Sequence, residues 1–140
     1  MPRKDKYHDA VRSALEKDGW RITDDPLTVP TQGIEMYIDL GAERTVIGVE
    51  KEGQRIAIEV KSLLGGSYYY DFYQALGQFL IYRLAMNKRK MVMPLFLAIP
   101  NFAYEQLAKV EIFRESWQFY SVHLLVFDER NENILQWIKN

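Results

Sequence analysis

The sequence predicts an α/β (α+β) fold, an α/β sandwich with a mixed central sheet, on three observations. The 140 residues suit one domain, because a chain of this length buries roughly 68–70% of its unfolded surface. Hydrophobic residues make up 48% and aromatic residues 14% of the chain, which is typical of a folded core and not of disorder. The predicted elements follow the order helix, strands, helix, strand, helix, strands, with no repeat or linker. We therefore expect residues 1–140 to form a single domain.

The first half of the chain predicts one helix followed by a group of strands. Tyr7, Val11 and Leu15 form an apolar stripe along a helix over residues 5–18, and Gly19 is its stop signal. The proline- and glycine-containing stretches at 24–26 and 30–33 mark a loop. Strands are predicted at about 20–23, 35–41, 45–50 and 55–63, with a hairpin turn at 51–54 between the last two.

The second half predicts two helices that alternate with strands. Ser67 is a helix cap, and the helix runs to about Met86. A strand at 93–99 ends at Pro100, where a short helix to about Lys109 begins. Residues 117–128 are rich in strand-forming side chains, 128–131 form a turn, and 134–138 form a last short strand.

Charge and composition exclude several classes of protein. The absence of cysteine excludes a disulfide framework and zinc–thiolate sites. The charged first six residues precede no apolar signal-peptide core, and the longest apolar run, 91–100, is too short to cross a bilayer. We therefore expect a cytoplasmic protein that makes no use of a membrane. The net charge of −1 argues against tight, unaided binding to DNA, because such binding usually depends on a basic surface.

The residues with the clearest chemical pattern lie on two alternating strands. On the later strand, Ile56, Ile58 and Val60 point to one side, and Glu59 and Lys61 point to the other together with Ala57. On the earlier strand, Met36, Ile38 and Leu40 are expected to share one face, and Asp39 lies on the opposite one with Tyr37 and Gly41. Two carboxylates can hold Mg²⁺, and such an ion can activate water against a phosphodiester while a lysine stabilises the added charge. Glu-x-Lys is also ordinary on a solvated strand face, so a structural role stays open.

The long helix adds polar groups to this prediction. Gln74, Gln78 and Tyr82 are spaced four apart and therefore share one stripe, from which they could contact phosphate or position water. A solvated face is the alternative. Gly77 costs up to ~1 kcal/mol relative to alanine at a mid-helix position, and close packing of the helix on the sheet would explain it.

Other acidic residues are weaker candidates for the same site. Glu43 is either a third carboxylate or an exposed strand end, and the strand end is favoured. Asp9 and Glu16 lie on the first helix outside its apolar stripe, where either could approach the metal or be solvated. Which of the two joins the site, if either does, stays open.

The histidines, a basic cluster and a run of tyrosines have mainly structural interpretations. His8 is expected as an exposed residue at a helix start, and His123 as a packed strand residue. The basic cluster 88–90 could meet a nucleic-acid backbone, but it would complement a helix C-terminus equally well. The tyrosines at 68–70 could stack on bases, although exposed aromatic residues favour a protein partner.

Eight short blocks spaced along the chain form a recognisable pattern: Tyr7–Asp9, Leu15–Trp20, Asp25–Leu27, Asp39–Glu43, Ile58–Ser62, Ala75–Gln78, Leu97–Pro100 and Leu125–Asp128. Together these blocks resemble the XisH family, the fdxN element excision controlling factor proteins of cyanobacteria. The resemblance extends from about residue 3 to the C-terminus. The family in turn resembles compact PD-(D/E)XK nucleases, which implies a restriction-endonuclease-like, three-layer α/β sandwich around a central mixed sheet.

The resemblance implies roles for the residues singled out above. Asp39 and Glu59 would be the metal carboxylates, Lys61 the catalytic lysine, and Gln78 with Tyr82 a Gln-x-x-x-Tyr helix motif. The carbonyl of Val60 is expected as a further ligand, and the ion would be Mg²⁺ or Mn²⁺. The chain departs from the superfamily pattern before the first carboxylate, because isoleucine and not proline precedes Asp39. The first-helix acid is ambiguous between Asp9 and Glu16, and the stretch 68–70 is more aromatic than the family resemblance predicts.

The resemblance also implies a function and partners. It predicts a metal-dependent, endonuclease-like protein that acts on DNA and controls or carries out excision of a DNA element during heterocyst differentiation. An XisI-like companion protein is the expected partner, and a homo-oligomer is a further expectation. Two alternatives stay open: a non-catalytic DNA-binding or adaptor protein that directs a separate recombinase, and a toxin-like member of a two-protein module.

Overall fold

The computed structural model describes residues 4–44 and 53–140. In chain order the elements are α1 His8–Lys17, β1 Arg21–Asp24, β2 Leu27–Pro30, β3 Glu35–Ile38, β4 Leu40–Arg44, β5 Gln54–Val60, α2 Tyr68–Lys88, β6 Leu95–Pro100, α3 Asn101–Ala108, α4 Glu111–Phe119, β7 His123–Asp128 and β8 Asn133–Ile138. The predicted strand at 45–50 and the first half of the turn at 51–54 lie outside the described residues.

Six strands form one mixed sheet in the order β1-β4-β5-β6-β7-β8. The central strands β5, β6 and β7 run parallel, and the pairs toward both edges are antiparallel. Strands β2 and β3 pair separately as a small antiparallel sheet. The predicted α/β sandwich with a mixed sheet is therefore confirmed.

Helices cover both faces of the six-stranded sheet, which gives three layers. On one face, Val11 and Leu15 of α1 pack against Ile58 and Phe96. On the other face, helices α2, α3 and α4 pack their buried side chains against the sheet, among them Phe72, Phe79, Leu107, Phe113 and Trp117. Strands β6 and β7 read as nearly continuous apolar runs because both of their faces are covered.

The alternation of β5 agrees with the sequence prediction. Ile56, Ile58 and Val60 belong to the core on the α1 side, and Ala57 belongs to the core on the α2 side. Glu59 therefore faces α2, the helix that contains Gln78 and Tyr82.

The predicted strand at 35–41 is wrong in one respect, because it is divided at Asp39. Residues before the bend form β3 and pair with β2, and residues after it form β4 and join the large sheet. Ile38 consequently packs on the α2 side and Leu40 on the α1 side, so these two do not share a face. The change of pairing partner at Asp39 resets the side-chain alternation.

Two further elements differ from the prediction. Residues Leu27–Pro30, expected in a loop, form β2, whose Leu27 and Val29 are buried against the α2-side core. Residues Glu111–Phe119 form helix α4, although 117–128 was expected to be strand-rich. Phe113 and Trp117 lie one helical turn apart and are both buried, so a helical period of four explains the pattern better than a strand.

Gly77 does not pack on the sheet, contrary to expectation. It lies on the exposed side of α2, and a Cβ atom placed there would meet no atom of the described residues within 4 Å. Within the residues that the structure describes, no helix is both long and apolar enough to cross a membrane.

Candidate functional site

The register of the sheet brings Asp39 and Glu59 together. Leu40 pairs with Ile58 across the antiparallel strands β4 and β5. Asp39 immediately precedes Leu40, and Glu59 immediately follows Ile58, so the two acidic residues are neighbours at the end of this ladder. Lys61 follows directly after β5.

Two hydrogen bonds tie the two strand ends to each other. The amide of Asp39 donates to Oε1 of Glu59 at 3.2 Å, and the amide of Val60 donates to Oδ2 of Asp39 at 2.7 Å. Nζ of Lys61 lies 3.5 Å from Oε2 of Glu59. Each carboxylate therefore keeps a fixed orientation, because each accepts a hydrogen bond from the backbone beside the other.

Both carboxylates are removed from solvent and disfavour negative charge. The side chain of Glu59 is 5% exposed and that of Asp39 is 18% exposed. Burial, and then the charge of Asp39, raise the pKa of Glu59 to about 8. Burial also raises the pKa of Asp39, against the hydrogen bond from Val60. A cation held between the two groups would relieve this unfavourable charge.

Helix α2 supplies the predicted amide and phenol. Nε2 of Gln78 donates to the hydroxyl oxygen of Tyr82 at 2.7 Å. Burial and the nearby Glu59 raise the pKa of Tyr82, so its phenol keeps its proton near neutral pH. Both side chains line one cavity of about 200 Å³ together with the strand residues; its walls are Lys4, Asp5, Tyr37, Asp39, Glu59, Val60, Lys61, Gln78 and Tyr82. Gln74 lines a neighbouring cavity instead.

His8 is buried beside this site, and the prediction of an exposed helix-start residue is wrong. Its residue is 2% exposed, and its Nε2 donates to Oδ1 of Asp25 at 2.7 Å. Its Nδ1 lies 3.8 Å from Oδ1 of Asp39 and has no hydrogen-bond partner among the described residues. The spacing contains the signal, because His8, Val11 and Leu15 follow i, i+3, i+7 and therefore share the buried stripe of α1.

Asp25 is itself held by a positive group. The Arg12 guanidinium donates to Oδ2 of Asp25 at 2.6 Å. Burial raises the pKa of Asp25, but the Arg12 hydrogen bond and the nearby His8 outweigh it, so this pKa lies below its ordinary value. Arg12, Asp25 and His8 are thus linked by hydrogen bonds, and His8 lies next to Asp39 without a hydrogen bond to it.

The remaining acidic candidates lie outside the cavity. Asp9 is exposed near Lys4, and Glu16 is exposed near Arg12 on α1. Glu43 pairs with Arg21 across β4 and β1.

Asp5 is the acidic residue before the first helix that does line the cavity, and no sequence pattern indicated it. It accepts hydrogen bonds from the amides of Tyr7 at 2.9 Å and Ser62 at 3.0 Å. These bonds fix the chain before α1 against the end of β5.

The other residues discussed from sequence are apart from the cavity. His123 is half-buried, and its ring packs on Phe96 at 5.4 Å, in agreement with a structural role. The basic cluster 88–90 is exposed at the end of α2. The tyrosines at 68–70 form the first turn of α2, where Tyr68 is half-buried and the other two are exposed.

The donor set fits a hard divalent cation. Asp39 and Glu59 would hold Mg²⁺ or Mn²⁺, and Val60 lines the same cavity. No cluster of three or more His, Cys, Asp or Glu residues suited to a metal occurs within 4–44 and 53–140. Mg²⁺ commonly binds through one or two carboxylates and fills its other positions with water and substrate oxygen.

Comparison with known proteins identifies the family. The family model for XisH protein matches residues 1–135. The chain belongs to the XisH family. An XisH family protein from Nostoc punctiforme PCC 73102 has a crystal structure with a TM-score of 0.84 and 40% identity, covering 96% of this chain and 99% of that one. A fdxN element excision controlling factor protein from Anabaena variabilis gives a TM-score of 0.82 and 40% identity, covering 94% and 97%. A search of curated proteins found no match.

The two XisH relatives span nearly the same length as this chain and share its fold. The family and the architecture predicted from sequence are therefore confirmed. The roles of Asp39, Glu59, Val60, Lys61, Gln78 and Tyr82 stay predictions.

Proposed function

We propose that this XisH protein is a metal-dependent, endonuclease-like protein of the PD-(D/E)XK type that controls or carries out excision of a DNA element. The observation that supports this most directly is the convergence of Asp39, Glu59 and Lys61 in one cavity with Gln78 and Tyr82. A structural surface ion pair would not need a buried and a half-buried carboxylate whose pKa values are both raised.

In this proposal the side chains divide the work of phosphodiester hydrolysis. Asp39 and Glu59 hold the divalent ion, which when bound would polarise the phosphodiester and activate water. Lys61 lies beside Glu59 and would stabilise the extra negative charge of the transition state. Gln78 holds the Tyr82 hydroxyl in place, and the pair would orient a phosphate group at the mouth of the cavity.

The proposed role in excision of a DNA element is based on similarity to a relative of this chain. The Anabaena variabilis relative is named as an fdxN element excision controlling factor, and it is 40% identical over nearly the whole chain. We accordingly infer that DNA is the substrate or target and that an XisI-like companion takes part.

A non-catalytic adaptor is the second candidate, and two observations favour it. The net charge of −1 gives little attraction to a DNA backbone. One oxygen of Asp39 and one of Glu59 also already accept a backbone hydrogen bond, so the orientation of the pair does not depend on an ion. In this case the protein would direct a separate recombinase through its companion.

A cleavage assay tests the proposal. Purified protein, with and without the companion, would be incubated with supercoiled, linear and branched DNA in Mg²⁺, in Mn²⁺ and in EDTA. We expect metal-dependent cleavage that Glu59→Gln and Lys61→Ala each abolish.

Glu43→Gln is the matched control, because Glu43 lies on the same sheet but pairs with Arg21 outside the cavity. It should cleave like the parent. DNA that stays intact in every condition while the protein still binds its companion would instead favour the adaptor.

A further inference from the structure

Helix α2 has an exposed apolar stripe on the side away from the core. Tyr70, Tyr73, Ile81 and Leu84 are all exposed, and Gly77 lies exposed between them. Relative to Gly77 they occupy positions −7, −4, +4 and +7, which place them within about 40° of one line along the helix. We call these five residues the α2 stripe.

The opposite side of α2 is also apolar. Phe72, Ala75, Phe79 and Met86 are buried in the core. The segment 72–82 contains no charged residue at all, over three turns of a helix on the surface of the domain. The polar stripe of Gln74, Gln78 and Tyr82 lies between these two apolar sides, so α2 has one apolar side that its own core does not cover. An exposed apolar patch commonly marks an interface.

Gly77 adds a geometric requirement. A mid-helix glycine is unfavourable for the helix, and no atom of residues 4–44 and 53–140 lies near enough to need the missing side chain. The packing of these residues therefore does not explain Gly77. A bare backbone at the centre of an apolar stripe lets a second helix approach closely, because no Cβ atom separates them.

We propose that the α2 stripe binds the α2 stripe of a second copy, with the two helices antiparallel and crossing at Gly77. The spacing is symmetric about Gly77, so a two-fold axis there places the tyrosines of one copy near Ile81 and Leu84 of the other. Aromatic side chains thereby meet aliphatic ones, and glycine meets glycine.

The charge in line with the α2 stripe favours the antiparallel orientation. Lys88 is exposed in the last turn of α2, eleven residues after Gly77, and it lies within about 20° of the same line. Antiparallel helices that cross at Gly77 keep the two copies of Lys88 about 33 Å apart along the helix axis. Parallel helices would place these like charges side by side and would also align the two helix dipoles unfavourably.

The proposed interface is separate from the cavity. Gln78 and Tyr82 belong to α2 but are rotated from Gly77 by about 100° and 140° around the helix. Substitutions in the α2 stripe therefore leave every cavity side chain in place, and this inference does not depend on the proposed function.

The first experiment measures mass against concentration for the full chain by sedimentation equilibrium. We expect the parent to shift from 16.5 kDa toward twice that mass. Leu84→Glu should weaken dimerisation by about tenfold or more, since it places a charge in an apolar contact. Leu135→Glu on β8 is the matched control, because Leu135 is 48% exposed and Leu84 is 56% exposed. It should dimerise like the parent.

The second experiment uses the absence of cysteine from the chain to test the orientation. Gly77→Cys places the only thiol on the proposed two-fold axis, in space that its own domain leaves open. Two such thiols can form a disulfide when their Cα atoms lie roughly 4.4–6.8 Å apart. In an antiparallel pair the two copies of Ile81→Cys would lie about 12 Å apart along the helix axis, from the rise per residue. Mild oxidation should therefore link Gly77→Cys rapidly and Ile81→Cys much more slowly.

Three results would overturn the proposal. If the parent stays monomeric at all concentrations, the α2 stripe does not bind a second copy. This conclusion holds even if the α2 stripe is then found to bind the XisI-like companion. A dimer that Leu84→Glu leaves intact places the interface elsewhere. Equal linking of Gly77→Cys and Ile81→Cys indicates parallel helices or random collisions.

Discussion

Replacing Glu59 by glutamine should make the metal-free protein more stable, which is the opposite of most core substitutions. The Glu59 carboxyl binds its proton more tightly in the fold than in the unfolded chain, since burial and Asp39 raise its pKa from 4.5 to about 8. Its contribution to stability is therefore present below pH 4.5 and is lost as the pH rises toward 8. Glutamine keeps a similar shape and an oxygen for the Asp39 amide, but it has no proton to lose.

The size of the stability gain follows from the same two pKa values. The difference between a pKa of 4.5 and one of about 8 corresponds to about 5 kcal/mol of unfolding free energy above pH 8, and to about 3 kcal/mol at pH 7. These are upper limits, because glutamine gives up the contact with Lys61 and its amide is itself unfavourable to bury. We expect the measured gain in unfolding free energy to be about half of the upper limit at each pH. At roughly 2–4 °C for each kcal/mol, the melting temperature should rise by several degrees at pH 8.

The assay is urea unfolding in EDTA between pH 5 and 9, for the parent, Glu59→Gln and the surface control Glu43→Gln. The stability advantage of Glu59→Gln should widen as the pH rises, and Glu43→Gln should stay within about 1 kcal/mol of the parent. Added Mg²⁺ should then stabilise the parent and leave Glu59→Gln nearly unchanged, because a bound ion stabilises only the state that binds it. If Glu59→Gln is less stable than the parent across the whole range, Glu59 and Lys61 form a structural ion pair and the metal-site hypothesis fails.

Three further predictions address residues in and beside the cavity. Lys61→Ala should abolish DNA cleavage and change Mg²⁺ affinity little in titration calorimetry; a large loss of affinity would show that the lysine shapes the metal site instead of serving the transition state. Tyr82→Phe removes the acceptor of the Gln78 amide and should cost about 1 kcal/mol in chemical denaturation, so an unchanged midpoint would contradict the 2.7 Å hydrogen bond. Asp25 has a lowered pKa, so its stabilising contribution is present above its ordinary pKa of 3.8 and is lost as the pH falls further. Arg12→Ala should therefore make the loss of stability between pH 5 and 2.5 shallower, and an equally steep loss in the variant would exclude Arg12 as a cause.

The sequence by itself determined the elements whose pattern is local. The alternation from Ile56 to Val60 predicted both the strand and its two faces, because the period of two is a property of the extended backbone. Ser67 accepts a hydrogen bond from the Tyr70 amide and begins α2 as expected. The blocks that resemble XisH proteins were sufficient to identify the family, and with it the three-layer arrangement.

Only the tertiary structure determined the features that depend on contacts between elements distant in the sequence. The strand through Asp39 looked continuous because nothing in its own sequence shows that residues before and after the bend pair with different strands. The burial of His8 depends on Asp25, which is seventeen residues away and held by Arg12. Gly77 was expected against the sheet, but the direction of a helix face is set by what packs on its other side.

The same division applies to the site. Sequence alternation indicated that Asp39 and Glu59 point out of their strands on the side away from Ile58, but it could not give their separation or their exposure. The pairing of Leu40 with Ile58 makes the two residues neighbours, and Gln78 and Tyr82 of α2 line the same cavity, in which the side chain of Glu59 is 5% exposed. The raised pKa of Glu59 therefore depends on the tertiary structure. It results from burial of the carboxyl group and from the nearby charge of Asp39, which lies on a different strand.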